Sequence, residues 1–229
     1  MKIKKPSIIS FLTIQMYMND KTTFAISLFA YAIMGVLNVF VAENVPDMSY
    51  KRETLYDVVH SNIPHFPRSE IPTFLVSLSM VYVIIRWGFV DLRILAVYFF
   101  ALSAMLSVRL FTFTLTQTPP PRHIDDKWQV NHCKRTMFRH LGISFVNEDD
   151  SCLDNMFSGH AATVVAGLTT VLLFSTNNLE KIIASIITIV TSIMVITSRL
   201  HYTADVIVGA TFSFMAMYIF ENMLFNKSK

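Results

Sequence analysis

The most regular feature of this chain is a series of long apolar blocks separated by polar stretches. A helix needs about 20 mostly apolar residues to cross the hydrocarbon core of a bilayer. Six blocks meet that requirement with few charges: 24–42, 71–90, 92–115, 157–175, 182–199 and 203–225. The pattern therefore predicts an all-α, polytopic membrane protein with six transmembrane helices, forming a single transmembrane domain over residues 1–229.

Composition supports a membrane protein and argues against two other classes. The 229 residues are 53% hydrophobic and 15% charged, with a mean hydropathy of +0.47. Soluble domains carry about 25% charged residues, so an ordinary soluble domain does not fit. The net charge of +3 is spread over loops and tails without a basic patch, so we expect no nucleic-acid partner.

The distribution of basic residues predicts the orientation in the membrane. An even number of spans puts both termini on one side. That side carries Lys and Arg close to the spans, and positively charged short loops are typical of the cytosolic face. These residues are Lys2, Lys4, Lys5, Arg86, Arg93, Lys181, Lys227 and Lys229. The basic start lacks the early apolar core of a signal peptide, so we expect both termini to be cytosolic.

Two longer segments, 43–70 and 116–156, then face the lumen or the cell exterior. The second segment contains both cysteines, Cys133 and Cys152. Disulfides persist in oxidising compartments, so the pair is a disulfide candidate. Two free thiols are the alternative.

Three ionisable residues lie within or at the ends of the spans. Arg109 is deep in the third span, Arg199 closes the fifth, and Asp205 lies near the start of the sixth. Charged groups at such depth are costly and usually face a polar cavity with a partner. The alternatives are a salt bridge inside the bundle for Arg109 and snorkelling of Arg199 toward the interface.

His201 and Asp205 are separated by four positions. If the sixth helix begins near residue 201, both side chains lie on one helical face. The carboxylate can then accept the imidazole Nδ1–H and leave Nε2 as a nucleophile or base. A structural pair of polar residues at a helix end is the alternative.

His160 follows Ser158 and Gly159 directly before the fourth span. Ser158 is a candidate N-cap, and Gly159 allows another group to approach the backbone closely. In the predicted topology His160 and His201 both lie at the exoplasmic ends of their helices. Together with two arginines, two such histidines suggest phosphoryl transfer, in which one attacks phosphorus and the other protonates the leaving alkoxide.

The histidines and cysteines do not follow the spacing of a metal site. The sequence has no HExxH, HxxxH or CxxC pattern. We therefore expect neither a metal nor another cofactor.

Four stretches resemble the signature motifs of the sphingomyelin synthase family, membrane enzymes related to the lipid phosphate phosphatases. CLDNMFSGHAATV (152–164) and HYTADVIVGA (201–210) are similar to its third and fourth motifs. VPDMSYKRETLYDVV (45–59) and SVRLFTFTLTQTPPPRH (107–123) are similar to its first and second. Leu153 and Ala161 differ from the family's Gly and Thr, which affects no reacting group.

The resemblance implies a role for several residues. His201 would be the nucleophile, Asp205 would orient it, and His160 would be the acid and base. The substrate-binding candidates are Arg109, Asp154, Ser158, Arg199 and Tyr202.

The implied activity is transfer of a phospho-headgroup, with phosphocholine favoured, from a glycerophospholipid to ceramide, with release of diacylglycerol. A lipid phosphatase or phospholipase C-like hydrolase is the alternative, as is a synthase of ceramide phosphoethanolamine or inositol phosphoceramide. A transporter or scaffold with structural histidines represents a different class. The expected location is the Golgi or plasma membrane, the expected partners are membrane lipids, and a homo-oligomer is left open.

Overall fold

In the part of the chain that the computed structural model describes, all regular secondary structure is α-helical. This part comprises residues 19–44, 55–66, 68, 70–116, 118, 119, 121 and 156–225. Its helices are α1 (Asp20–Asn44), α2 (Val58–Asn62), α3 (Glu70–Gly88), α4 (Leu92–Leu115), α5 (Gly159–Phe174), α6 (Asn178–Thr197) and α7 (Thr203–Phe225). The predicted all-α class is confirmed.

Among the described residues, five helices are long and apolar enough to cross a bilayer, namely α1, α3, α4, α6 and α7. The fourth predicted span, 157–175, instead forms the shorter α5 of 16 residues. At 1.5 Å per residue α5 is about 24 Å long, less than the hydrocarbon thickness of about 30 Å. The multi-pass membrane class is confirmed, with five full-length helices and one short apolar helix.

Capping residues explain where several helices begin. Asp91 accepts the Arg93 N–H and starts α4, so the predicted span 92–115 matches the helix. Asn177 accepts the Leu179 N–H, so α6 begins four residues before the predicted 182. The span predicted over 203–225 matches α7.

The other bounds shift by a few residues. The first span, predicted over 24–42, is extended to Asp20–Asn44. The second, predicted over 71–90, runs from Glu70 to Gly88. The fifth ends at Thr197 rather than residue 199, so Arg199 lies in the connection that follows.

Helix α4 is at the centre of the bundle. It packs against α1, α3, α5 and α7. Its buried side chains form much of the main core: Ile94, Leu95, Val97, Tyr98, Phe99, Ala101, Leu102 and Met105. Helix α5 packs against α3, α4, α6 and α7, so the short helix is also enclosed by longer ones.

The two ends of the bundle differ in their polar groups. At one end, where α3 finishes and α4 begins, Arg86 pairs with Glu180 at 3.2 Å and Arg93 pairs with Asp91 at 2.9 Å. At the opposite end α3, α5 and α7 begin. Both histidines singled out above lie at this second end.

Candidate active site

The starts of three helices meet around His160 and His201. The ring centroids of the two imidazoles are 5.9 Å apart. From α3, the Thr73 hydroxyl lies 3.1 Å from His160 Nε2. The Ser158 N–H donates to the backbone carbonyl of Asp205 at 3.1 Å, which ties the start of α5 to α7. The structure thus brings together two histidines that are far apart in the sequence.

Ser158 fixes the backbone that carries His160. Its hydroxyl accepts the Ala161 N–H at 3.2 Å, as expected of an N-cap. The residue is completely buried. The hydroxyl therefore caps the first turn of α5, and His160 lies in that turn.

Arg109 lies against the start of α5. Its Nε donates to the Phe157 carbonyl at 3.0 Å. A Cβ atom at Gly159 would lie 3.4 Å from the Arg109 Cζ, so the absent side chain gives the guanidinium room beside the backbone. A cation next to a helix N-terminus is a suitable environment for a phosphate group.

His201 lies in the short connection between α6 and α7. At the end of α6, Leu200 N–H donates to the Val195 carbonyl and Arg199 N–H to the Ile196 carbonyl. This pair of bonds is a Schellman motif, in which the residue at Arg199 adopts a left-handed conformation, here with φ of 55°. Leu200 also packs with Val195 in a small apolar cluster.

The helix start that would place His201 and Asp205 on one helical face is not observed. Helix α7 begins at Thr203, so His201 precedes the helix and does not share a helical face with Asp205. The Asp205 Oδ2 accepts the Tyr202 N–H at 3.2 Å, a bond from the third helical residue back to the N-cap position. Asp205 therefore holds the backbone next to His201. It is 6% exposed and interacts electrostatically with Arg109.

Tyr202 and Arg199 contact the segment around α2. The Leu55 N–H donates to the Tyr202 hydroxyl at 3.0 Å, and the His60 ring stacks on Tyr202 with centroids 5.8 Å apart. Burial raises the pKa of the Tyr202 phenol, so it is neutral at physiological pH. Arg199 Nη2 donates to the His60 carbonyl at 3.3 Å.

The sequence did not single out Asp57, which also reaches this turn. Its Oδ2 accepts the Thr203 N–H at 2.7 Å and its Oδ1 accepts the Thr203 hydroxyl at 2.9 Å. Desolvation raises the pKa of the Asp57 carboxyl, but hydrogen bonds from Thr203 and His60 outweigh it and hold the pKa below its usual value. Its local signals are an Asp before a short apolar stretch, which is typical of an N-cap, and its place in the 45–59 stretch that resembles the first motif.

Several predicted residues fall outside the described ranges. Asp154, Cys133 and Cys152 are among them, so the substrate-binding role of Asp154 and the disulfide stay predictions. Within the described ranges, no group of three or more His, Cys, Asp or Glu side chains is placed to hold a metal ion.

The sequence did not single out Thr73 either. Its contact with His160 can be tested by removing the hydroxyl. The Thr73→Val variant keeps the shape of the side chain and removes the hydroxyl. A lost hydrogen bond is worth about 0.5–1.5 kcal/mol, so we expect kcat for lipid turnover to fall by about 2- to 12-fold with little change in KM. Thr73→Ser keeps the hydroxyl and is the matched control. Equal rates for all three proteins would show that this contact does not contribute to the reaction.

Comparison with known proteins is consistent with this site. Residues 151–223, which include both histidines, match the family described as PAP2 superfamily C-terminal. The chain is similar to the phosphatidylinositol:ceramide inositolphosphotransferase 3 of Arabidopsis thaliana, with 28% identity over 123 residues. The matched region covers 48% of this chain and 40% of that relative, so the similarity spans less than half of either protein.

Proposed function

We propose that this chain, a relative of the lipid phosphate phosphatase-related sphingolipid synthases, transfers a phospho-headgroup from a glycerophospholipid to ceramide. The observation that carries the proposal is the pair of neighbouring imidazoles, His160 in the first turn of α5 and His201 just before α7, with Arg109 beside the start of α5. The headgroup transferase named in the similar Arabidopsis protein supports the same reaction class.

The first half of the reaction needs a nucleophile and an acid. His201 attacks the phosphorus of the donor lipid, and a nitrogen–phosphorus bond forms as the phosphorus–oxygen bond to diacylglycerol breaks. Protonated His160 gives its proton to the departing alkoxide, and diacylglycerol leaves as an alcohol. The positive guanidinium of Arg109 and the start of α5 stabilise the negative charge on the phosphoryl oxygens.

The second half returns the site to its starting state. Neutral His160 takes the proton from the primary hydroxyl of ceramide, and the resulting oxygen attacks the phosphorus. The bond to His201 breaks, and the phosphosphingolipid is released. His201 is only 5% exposed, which limits access of water and favours a lipid alcohol as acceptor.

The other predicted residues then have distinct roles. Ser158 and Asp205 hold the backbone on which the two histidines lie, because their side chains cap α5 and α7. Arg199, Tyr202 and the loop residue Asp154 remain candidates for contacts with the substrate. We further propose that the site faces the lumen or the cell exterior, in the Golgi or plasma membrane, with cytosolic termini.

The headgroup is the finer part of the proposal. Phosphocholine is favoured by the resemblance of the motifs. Phosphoinositol is the second candidate, because the similar Arabidopsis protein is named as an inositolphosphotransferase. Phosphoethanolamine is the third alternative. The described residues around the histidines include arginines for the phosphate that all three share.

An assay with purified protein tests the proposed reaction. The protein is reconstituted into vesicles with labelled ceramide and one of three donors, phosphatidylcholine, phosphatidylinositol or phosphatidylethanolamine. We expect a labelled phosphosphingolipid from one donor, together with an equal amount of diacylglycerol, measured by mass spectrometry.

The same assay separates the alternatives. Release of free phospho-alcohol or phosphate, at equal rates with and without ceramide, would indicate a hydrolase. A protein that binds these lipids without converting them would overturn the enzymatic proposal and favour a transporter or scaffold. Protein with His201→Ala and His160→Ala together provides the background rate.

A further inference from the structure

Residues 55–62 form a segment that is bound to the His201 connection by several polar contacts. Leu55 donates to Tyr202, and His60 stacks on the same ring. Arg199 reaches the His60 carbonyl. This segment, which we call the α2 clamp, belongs to a distant part of the chain and meets both sides of the nucleophile's position.

Asp57 is the central contact of the α2 clamp. Its Oδ1 caps α2 by accepting the N–H groups of Val59 and His60 at 2.9 and 3.2 Å. Both of its oxygens also bind Thr203, the first residue of α7. The first N–H groups of a helix lack partners within the helix, so Asp57 supplies for α7 an acceptor that the local sequence does not.

The position of this contact relates it to the reaction. Thr203 is two residues after His201, and the backbone N–H between them, that of Tyr202, is already held by Asp205. Asp57 and Asp205 thus fix two consecutive N–H groups at the start of α7. The carboxylate charge of Asp57 also suits the positive end of the helix.

We propose that Asp57 is a positioning residue, which aligns His201 for attack by holding the first residue of α7 through the α2 clamp. This inference rests on the proposed function, because it assigns Asp57 to the nucleophile of that reaction. A small displacement of a nucleophile slows the reaction strongly while leaving lipid binding intact.

The test uses three variants of the full-length protein in lipid nanodiscs. Asp57→Ala removes both acceptor oxygens, and we expect kcat to fall by about 10- to 100-fold with KM for both lipids unchanged within about twofold. Asp57→Asn keeps one acceptor oxygen and should retain an intermediate kcat. Asp91→Ala is the matched control, because Asp91 caps α4 at the opposite end of the bundle.

A second measurement reports on the clamp without relying on activity. Hydrogen exchange followed by mass spectrometry should be faster in peptides containing residues 200–204 for Asp57→Ala, and unchanged there for Asp91→Ala. If both variants lose thermal stability to the same extent, that loss reflects the missing helix cap in each of them. The difference in kcat between the two variants then decides.

The outcomes distinguish this inference from the proposed function. Unchanged exchange at residues 200–204 in Asp57→Ala, or faster exchange with unchanged kcat, would overturn the positioning role. If His201→Ala turns over lipid as fast as the parent protein, the proposed function fails, and Asp57 then has no nucleophile to position even where the exchange result holds. A drop in kcat for Asp91→Ala equal to that of Asp57→Ala would also contradict the inference.

Discussion

The His201→Ala variant should turn over donor lipid at least about 1,000-fold more slowly than the parent protein, since removing a nucleophile eliminates the covalent route. His160→Ala should be slower by about 100- to 10,000-fold, the usual contribution of a general acid or base. The rate of diacylglycerol release in nanodiscs measures both effects. The ring centroids of His160 and His201 are only 5.9 Å apart, so we expect the rate losses of the two variants not to be additive in the double variant.

An activated donor separates the roles of the two histidines. A nitrophenyl ester of the headgroup phosphate has a leaving group that needs no proton, so the first step no longer depends on an acid. His160→Ala should then release up to one equivalent of nitrophenol in a burst and stop, because ceramide lacks a base. His201→Ala should give no burst. A burst of equal size from His201→Ala would falsify the assignment of the nucleophile.

Replacing Gly209 should have the largest effect on stability. A Cβ atom at this position of α7 would lie 2.6 Å from the Ser158 carbonyl oxygen and 3.2 Å from the Phe157 ring. The first of these neighbours is backbone and cannot rotate away. We expect Gly209→Ala to cost about 1–3 kcal/mol through overpacking, despite the better helix propensity of alanine.

Thermal unfolding in detergent, followed by aggregation or fluorescence, should show a midpoint lower by roughly 3 to 10 °C for Gly209→Ala. Activity should fall as well, since the displaced Ser158 carries the start of α5 and hence His160. Gly35→Ala in α1 is the matched control, because a Cβ there meets nothing within 4 Å. Equal midpoints for the two variants would contradict the close packing of α7 against α5.

Local patterns were sufficient for much of the fold. Apolar blocks predicted the helical membrane class, and α4 and α7 have the bounds that the sequence suggested. The Ser158 cap could also be predicted, because an N-cap depends on neighbours in the sequence. The predicted block 157–175 was longer than α5 because hydropathy alone does not exclude the cap residues, Ser158 and Ser175, or Phe157 before them.

The contacts within the candidate site could not be predicted from the local sequence. Asp57 and Thr203 are 146 positions apart, and Thr73 and His160 are 87 apart, so their contacts depend on how the helices pack. A shared helical face for His201 and Asp205 was predicted only for a helix that begins near residue 201, and α7 begins at Thr203. The catalytic roles of His160, His201 and Asp205 stay predictions until the variants are measured.

The location of both histidines at one end of the bundle has a consequence for the lipid bilayer as a whole. Under the proposed activity, donor and acceptor must reach that end, so the product forms in one leaflet. A charged or strongly polar headgroup crosses the hydrocarbon slowly because its desolvation is costly, whereas the polar groups of diacylglycerol and ceramide are uncharged hydroxyl, ester and amide groups. The reaction would therefore build transbilayer asymmetry as well as a new lipid.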